Sequence, residues 1–223
     1  MPGNAGVIFR LEASMNMRPT SQTPGVGRLE GRVRLREATR ADHERLHRQP
    51  AFAALAGGTL DLPAYRALLA RLYGFHAPLE ACVAASAWAD RAGLEAVLAP
   101  RAKLLREDLS ALGADDDALT GLPMACPSIF PDFSNYGRLV GSLYVRAGST
   151  LGGRLLAKAL DPLLGEGGET GRSFLSGRGG ADAQWRQCCA AIEQAMADGL
   201  WDAMLEGATD TFAALEDWMN GGA

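Results

Sequence analysis

Residues 134–162 read SNYGRLVGSLYVRAGSTLGGRLLAKALDP, and their apolar side chains recur at steps of three and four residues. This spacing is typical of the buried face of a single long α-helix. Ser134 is a predicted N-cap for that helix, and the Asp161-Pro162 pair predicts its end. The predicted buried stripe consists of Tyr136, Leu139, Val140, Leu143, Ala147, Leu151 and Leu155. Such a stripe must be covered by other elements of the fold.

Helical periodicity continues through nearly all of the chain from about Leu29, without an internal repeat or a run of alternating β-branched residues. Asp61 is a predicted N-cap of a second long helix, which Gly74 and Pro78 are expected to bend. Its predicted buried stripe consists of Tyr65, Leu68, Leu69, Leu72, His76, Leu79 and Val83. Further helices are predicted over residues 35–48, 91–98, 100–113, 181–196 and 201–219. The sequence therefore predicts an all-α fold of seven or eight helices.

Two connections and one terminal extension complete the predicted organisation. Residues 120–133 contain three prolines, and residues 165–180 are rich in glycine around a short Phe174-Leu175 anchor. Residues 1–30 are rich in Pro, Gly, Ser and Thr, so we expect a disordered extension there. The remaining residues, 31–223, are expected to form one helical domain.

The composition argues against several classes of protein. A formal net charge of -4 over 223 residues argues against nucleic acid as a partner, because phosphates need a basic face. No stretch approaches the roughly 18 apolar residues of a membrane span, and the start lacks a signal-peptide pattern. The four cysteines show no C-x-x-C spacing. We therefore expect reduced thiols in a cytoplasmic protein that does not associate with membranes.

The chain has three histidines: His43, His47 and His76. His43 and His47 are four residues apart and share a helix face, but no third and fourth metal ligand follows in an obvious pattern. At 100° per residue, Arg36 and Arg40 also lie on the side of His43. An imidazole with guanidiniums nearby suits a planar, doubly anionic macrocycle whose iron it binds. A solvated basic helix face has the same spacing, so both interpretations stay open.

The segment GSTLGG at residues 148–153 interrupts the long apolar helix. Each internal glycine costs about 1 kcal/mol relative to alanine, so three in six residues need a reason. Gly148 and Gly152 share a face, where a missing Cβ allows close approach of a flat ligand or of a neighbouring helix. The sequence leaves both reasons open. A phosphate-binding loop is excluded, because the segment follows no strand and opens no new helix.

Three segments, in this order, resemble the haem oxygenase family. LREATRADH at 35–43 is similar to that family's proximal helix, in which a basic-Glu-Ala-Thr run precedes the axial histidine. LYGFHAPLE at 72–80 is similar to its next helix, and LYVRAGSTLGGR at 143–154 to its distal helix. The resemblance, closest to the bacterial biliverdin-producing type associated with bacteriophytochromes, extends from about Leu35 to Trp218. It implies a single-domain multi-helix fold with haem between a proximal and a kinked distal helix.

The resemblance implies roles for individual cofactor-binding residues. His43 matches the neutral imidazole that is the axial ligand of the haem iron, and it is the expected metal ligand. Arg36 matches a basic residue that binds a haem propionate, and Arg40 lies where another basic residue is common. Arg186 follows an aromatic residue in a segment similar to a later propionate-binding helix.

The resemblance also implies the catalytic residues on the other side of the haem. Gly148 and Gly152 match the distal glycines, whose backbone lies over the haem. Ser149 stands where the animal enzymes have an aspartate that organises waters, and a hydroxyl relays a proton without holding that charge. His76 stands where the family usually has tyrosine. Two interpretations of His76 stay open, a member of the distal water network and a hydrogen-bonded core residue.

The reaction that the resemblance implies uses haem as both cofactor and substrate. Haem is cleaved at a meso carbon with O2 and external electrons, which gives biliverdin, carbon monoxide and ferrous iron. No nucleotide-binding fingerprint is present, so no protein-bound flavin or nicotinamide is expected, and a ferredoxin or flavoprotein reductase would supply the electrons. A bacteriophytochrome is one expected recipient of the biliverdin.

Two alternatives remain open at this point. The first is a non-catalytic carrier of haem or bilin with the same fold, which the Ser149 departure favours. The second is another enzyme on a helical scaffold, either thiaminase-like, which needs a nucleophilic cysteine in a pocket, or a di-iron oxidase, which needs several inward carboxylates and histidines.

Overall fold

The computed structural model describes residues 30–178 and 180–222, and within these ranges every regular element is a helix. The elements are α1 (Glu30–Ala38), α2 (Arg40–His47), α3 (Pro50–Ala56), α4 (Leu62–Ala84), α5 (Glu95–Leu98), α6 (Ala102–Ala111), α7 (Asp116–Thr120), a 3-10 helix (Pro127–Ile129), α8 (Tyr136–Ala159), α9 (Asp161–Leu164), α10 (Ser173–Ser176), α11 (Ala181–Ala197) and α12 (Trp201–Met219). The predicted all-α class is confirmed. The extension expected at residues 1–30 lies outside the described residues, except for Glu30. None of the described helices is both long and apolar enough to cross a membrane.

The helix α4 confirms the second predicted stripe and its cap. All seven predicted positions are buried: Tyr65, Leu68, Leu69, Leu72, His76, Leu79 and Val83. The carboxylate of Asp61 accepts a hydrogen bond from the N–H of Ala64 at 2.8 Å. Pro78 lacks the N–H that would bond the Gly74 carbonyl, and that carbonyl accepts from the N–H of Ala125 at 2.9 Å. The helix is continuous through both residues, and the expected bend stays a prediction.

Two predicted helices have different bounds in the structure. The helix predicted over 35–48 is two helices, α1 and α2, because the chain turns at Thr39. The Thr39 hydroxyl donates to the carbonyl of Leu35 at 2.8 Å, a local bond that competes with regular helix geometry. The helix predicted over 91–98 is reduced to α5, since Gly93 has a φ of 87° and cannot be helical.

The cap of the long helix α8 was predicted at the wrong residue. Asn135 is the N-cap, since its side-chain oxygen accepts from the backbone N–H two residues later at 2.8 Å. Ser134 instead donates its hydroxyl to Asp132 at 2.7 Å. The predicted stripe is buried at Tyr136, Leu139, Val140, Leu143 and Ala147. Leu155 is half-buried, and the side chain of Leu151 lies outside the described part of the structure.

The core of the fold is the contact between α8 and α12. A Cβ on Gly141 would collide with the carbonyl oxygen of Met204, and a Cβ on Gly207 would collide with that of Arg138. Both glycines therefore let the two helix backbones approach more closely than any side chain would allow. This contact fixes the position of α8, and α8 contains the glycine-rich segment at residues 148–153.

The short helix α10 confirms the predicted anchor in the glycine-rich connection. Phe174 and Leu175 are both buried. The buried carboxylate of Asp108 accepts hydrogen bonds from the backbone N–H groups of Ser173 at 2.8 Å and Phe174 at 2.9 Å. A Cβ on Gly153 would lie 2.6 Å from the carbonyl oxygen of Leu175, so that glycine serves the packing of α10 on α8.

Candidate functional site

A cavity with largely apolar walls lies between α2, α4, α8, α10 and α12. It brings together five of the eight predicted site residues: His43, His76, Gly148, Ser149 and Gly152. Its apolar walls include Leu72, Phe75, Leu79, Phe174, Phe212 and Leu215. The enclosed volume is about 100 Å³, below the roughly 300–1,000 Å³ usual for small-molecule sites.

On the α2 side of the cavity, two imidazoles face each other. The Nε2 atoms of His43 and His47 lie 3.1 Å apart, so one donates and the other accepts a hydrogen bond. Burial lowers the pKa of His43 to about 4, with smaller effects from His47 and the positive charge of Arg36. Burial also lowers the pKa of His47. Both imidazoles are therefore neutral near pH 7, the form that binds iron.

On the α8 side, Gly148 borders open space. A Cβ placed on Gly148 would meet no atom within 4 Å, although the residue lines the cavity. The packing of the protein therefore does not require glycine at this position, in contrast to Gly153. This observation favours the ligand-approach interpretation for Gly148 and the helix-packing interpretation for Gly153.

Two buried arginines that the sequence prediction missed lie behind the glycine segment. The Nη2 atom of Arg146 is 2.8 Å from Oε1 of Glu80. Arg101 Nη1 donates to the Arg146 carbonyl at 3.0 Å and to the Ser149 hydroxyl at 3.2 Å. Burial and the Arg146 charge lower the pKa of Arg101 to about 9, which still leaves it cationic near pH 7. The Arg146 guanidinium pairs with the Glu80 carboxylate, to which Arg101 donates only its backbone N–H, at 2.7 Å. Two guanidiniums and one carboxylate give this cluster a net positive charge beside Ser149.

The Ser149 hydroxyl is held in place by the same cluster. It donates to the Arg146 carbonyl at 2.7 Å while it accepts from Arg101. A hydroxyl oxygen accepts up to two hydrogen bonds, so one lone pair is left for a water in the cavity.

His76 has a buried polar atom for which the described residues provide no partner. The side chain lies between Phe75 and Phe174, at ring centroid distances of 5.7 Å and 5.2 Å. Its Nδ1 atom is buried without a hydrogen-bond partner. Burial and the charges of Arg101 and Arg146 hold the pKa of His76 well below its usual value. Since buried polar atoms are normally paired, Nδ1 marks a place for a ligand or water.

The three predicted arginines do not line the cavity. Arg36 is close enough to His43 to lower its pKa. Arg40 is exposed and lies 3.8 Å from Glu37. Arg186 is exposed on α11. Binding of carboxylates by these arginines stays a prediction.

Two of the missed residues had a signal in the sequence. Arg146 follows Leu143 by three residues, so it falls on the buried face of α8, and Glu80 follows His76 by four residues on the buried face of α4. A charge at a buried helical position predicts a paired, specific role. Arg101 has no comparable pattern, because only the tertiary fold brings it to α8.

The residues near the cavity do not suit the two other enzyme classes. Within the described residues, no group of three or more His, Cys, Asp or Glu side chains is placed to hold a metal ion, as a di-iron oxidase needs. The four cysteines are free, and none of them lines the cavity, as a thiaminase-like nucleophile would.

Comparison with known families gives one match. A family model described as Heme oxygenase matches residues 32–221. The matched range contains all eight predicted site residues and the Arg101–Arg146–Glu80 cluster. No curated protein matches the chain.

Proposed function

The chain belongs to the haem oxygenase family, and from that premise we propose that it cleaves haem at a meso carbon, with O2 and external electrons. The products are biliverdin, carbon monoxide and ferrous iron. One observation carries the proposal. The neutral imidazole of His43 and the side-chain-free space at Gly148 line the same apolar cavity.

The residues that would hold haem fit its chemistry. His43 Nε2 would hold the iron, for which it would have to give up its hydrogen bond to His47. Arg36, Arg40 and Arg186, which lie outside the cavity, would bind the propionates. Bound haem supplies both the iron that activates O2 and the carbon ring that is oxidised.

The α8 side of the cavity limits where oxidation can occur. The backbone at Gly148 and Gly152 would allow a bound ring to approach closely. The apolar walls would keep bulk water away from that ring.

Two polar atoms of the cavity would position the water that delivers protons. His76 Nδ1, which has no partner among the described residues, and the free lone pair of Ser149 Oγ would each accept a hydrogen bond from such a water. The neutral His76 accepts and donates a proton without becoming permanently charged. The positive charge of Arg101 beside Ser149 favours negative charge in the cavity.

The proposal is tested with haem-loaded protein and a supply of electrons from ascorbate or from a ferredoxin with its reductase. We expect the Soret band to decay, biliverdin absorption to appear and carbon monoxide to be released. Chromatography of the product identifies the meso carbon, and a bacteriophytochrome apoprotein added afterwards tests whether the bilin is accepted.

One observation favours a second candidate, a haem or bilin carrier without turnover. The Ser149 hydroxyl hydrogen is already bonded to the Arg146 carbonyl, so it is not free to donate to a ligand. A Soret band that stays unchanged under the reducing conditions above, with haem still bound, would favour the carrier.

A further inference from the structure

The facing imidazoles of α2 have the geometry of a two-ligand metal site. The Nε2 atoms of His43 and His47 are 3.1 Å apart, and both side chains line the cavity. A divalent first-row cation lies about 2.1 Å from an imidazole nitrogen, so a cation shared by both atoms would form an N–metal–N angle of about 95°. That angle suits two adjacent positions of an octahedral cation. A cation can therefore replace the hydrogen between the nitrogens with little movement of either ring.

The exchange of hydrogen for metal needs only a change of tautomer. The imidazole that donates from Nε2 moves that proton to its own Nδ1, and both Nε2 lone pairs then face the cation. No proton is lost overall, and no oxidation state changes. Imidazole nitrogen is a suitable ligand for ferrous, cobalt, nickel, copper and zinc ions.

We propose that His43 and His47 together take up the ferrous ion that is released when the haem ring opens, an inference that rests on the proposed function for the source of the ion. His43 Nε2 is the expected iron ligand while the ring is intact, when His47 is displaced from it. Once the ring has opened, the two imidazoles can return to the arrangement of the haem-free chain, in which their Nε2 atoms lie 3.1 Å apart. When the tetrapyrrole nitrogens release the ion, His47 becomes its second protein ligand, and water completes the shell.

The residues around the His43–His47 pair suit weak, transient binding of the ion and not its storage. Within the described residues, no third His, Cys, Asp or Glu joins the pair. The Arg36 guanidinium near His43 also opposes a positive ion. The ion is therefore held by two neutral ligands and exchanges readily, as an ion that must leave before the next haem requires.

A simpler role for His47 makes a different prediction. If His47 only orients the His43 ring through their hydrogen bond, then the haem-free protein has no affinity for a divalent cation at this pair. The chain is suited to a test, because it has only three histidines and the third, His76, lies elsewhere in the cavity.

The test uses the full-length chain without haem. Zn²⁺ is titrated into protein labelled with 15N-histidine, and nuclear magnetic resonance follows the ring nitrogens. Fe²⁺ binding is measured by anaerobic equilibrium dialysis. We expect the Nε2 signals of His43 and His47 to shift together while those of His76 stay unchanged. His47→Ala should lower Fe²⁺ affinity by about tenfold or more, the size of effect seen when a metal site loses a supporting group. His76→Gln, the matched control, should bind Fe²⁺ like the wild type.

The proposal is overturned if Zn²⁺ shifts one imidazole alone, or if His47→Ala binds Fe²⁺ as well as the wild type. His47→Gln is a second variant in case circular dichroism shows that His47→Ala does not fold. A haem titration on the same preparations separates this proposal from the proposed function. If haem binds and Fe²⁺ does not, only the two-imidazole site is wrong, whereas failure of the wild type to bind haem contradicts the proposed function.

Discussion

The two halves of α8 both contain glycine, but for different physical reasons. In the first half, a Cβ on Gly141 would collide with the backbone of α12. In the second half, a Cβ on Gly148 would meet nothing within 4 Å, and the residue lines the cavity. The first half is therefore shaped by the protein's own packing. In the second half, Gly148 leaves space that packing does not explain, in contrast to Gly153, which packs against α10.

The sequence alone does not distinguish a glycine that serves helix packing from a glycine that makes room for a ligand, whereas the contacts in the structure do. Glycine inside a helix is unfavourable by about 1 kcal/mol relative to alanine wherever it stands. At Gly141 the closer contact between two helices offsets that cost, and at Gly148 no contact within the protein does. A ligand that approaches the backbone at Gly148 supplies the missing reason.

The largest effect is expected at the packed half of α8. Gly141→Ala forces α8 and α12 apart and should lower the free energy of unfolding by about 3 kcal/mol, at the upper end for overpacked cores. The measurement is urea denaturation of the haem-free protein. Gly148→Ala is the matched control on the same helix, and it should raise stability by about 0.5–1 kcal/mol. An equal loss of unfolding free energy in both variants would contradict the difference proposed between the two halves of α8.

A larger side chain at Gly148, in the second half of α8, should change haem affinity and leave the stability of the protein nearly unchanged. Gly148→Leu fills the space over the proposed haem and should weaken haem binding by about a hundredfold, equivalent to about 2.7 kcal/mol. The free energy of unfolding should stay within about 1 kcal/mol of the wild type, because the new side chain has room. Haem titration and denaturation on one preparation test both parts. Wild-type haem affinity in Gly148→Leu would show that this space is not the ligand site.

A smaller effect is expected at His76, where a buried nitrogen has no partner. His76→Leu should stabilise the protein by about 1 kcal/mol at pH 7, because an unpaired buried polar atom is removed. It should also slow turnover, since the proposed proton path is lost. Greater stability with unchanged turnover would assign His76 to the core alone.

The pH dependence of stability gives a second test of the same residue. The folded pKa of His76 is depressed, so below about pH 6.5 the unfolded chain takes up a proton that the folded chain does not. The contribution of the neutral His76 to the free energy of unfolding is therefore fully present above about pH 6.5 and is lost as the pH falls below that value. His76→Leu should show a shallower decline in unfolding free energy below pH 6.5 than the wild type. An identical decline in both proteins would contradict the lowered pKa.

The smallest effect is expected outside the cavity. Arg36→Ala should weaken haem binding several-fold or change which bilin isomer forms, because a partly exposed ion pair contributes about 1 kcal/mol or less. Arg34→Ala on the same helix is the control, since Arg34 stacks on Trp201 at 3.9 Å. Haem titration and product chromatography compare the two variants. Loss of the same size in both would indicate damage to α1 rather than a lost propionate contact.

The apolar periodicity of the sequence was sufficient to predict the helices that are stabilised by one buried face. The α4 stripe and the last helix, Trp201–Met219, lie where the apolar spacing predicts them. The prediction was wrong at three places. One is the helix predicted over 91–98, which the positive φ of Gly93 shortens, and the other two are local polar contacts. At Thr39 and at Asn135, a side chain bonds the backbone, and several neighbouring residues would be equally able to do so.

Part of the candidate site was predicted from the sequence, because histidines and glycine-rich helical segments are rare in this chain and few residues were therefore candidates. With three histidines in the chain and one glycine-rich helix, the sequence selected residues that do line one cavity. Arg101 was missed because only tertiary packing brings it to α8. The helical spacing of His43 and His47 showed that they share a face, but not that their rings meet.

The most direct test of the account is a haem titration of three proteins: wild type, His43→Ala and His47→Ala. We expect a five-coordinate haem spectrum in the wild type and in His47→Ala, and none in His43→Ala. Added imidazole should restore a haem spectrum to His43→Ala, because the cavity remains. Equal loss in both variants, or unchanged binding in His43→Ala, would contradict the assignment of His43 as the iron ligand.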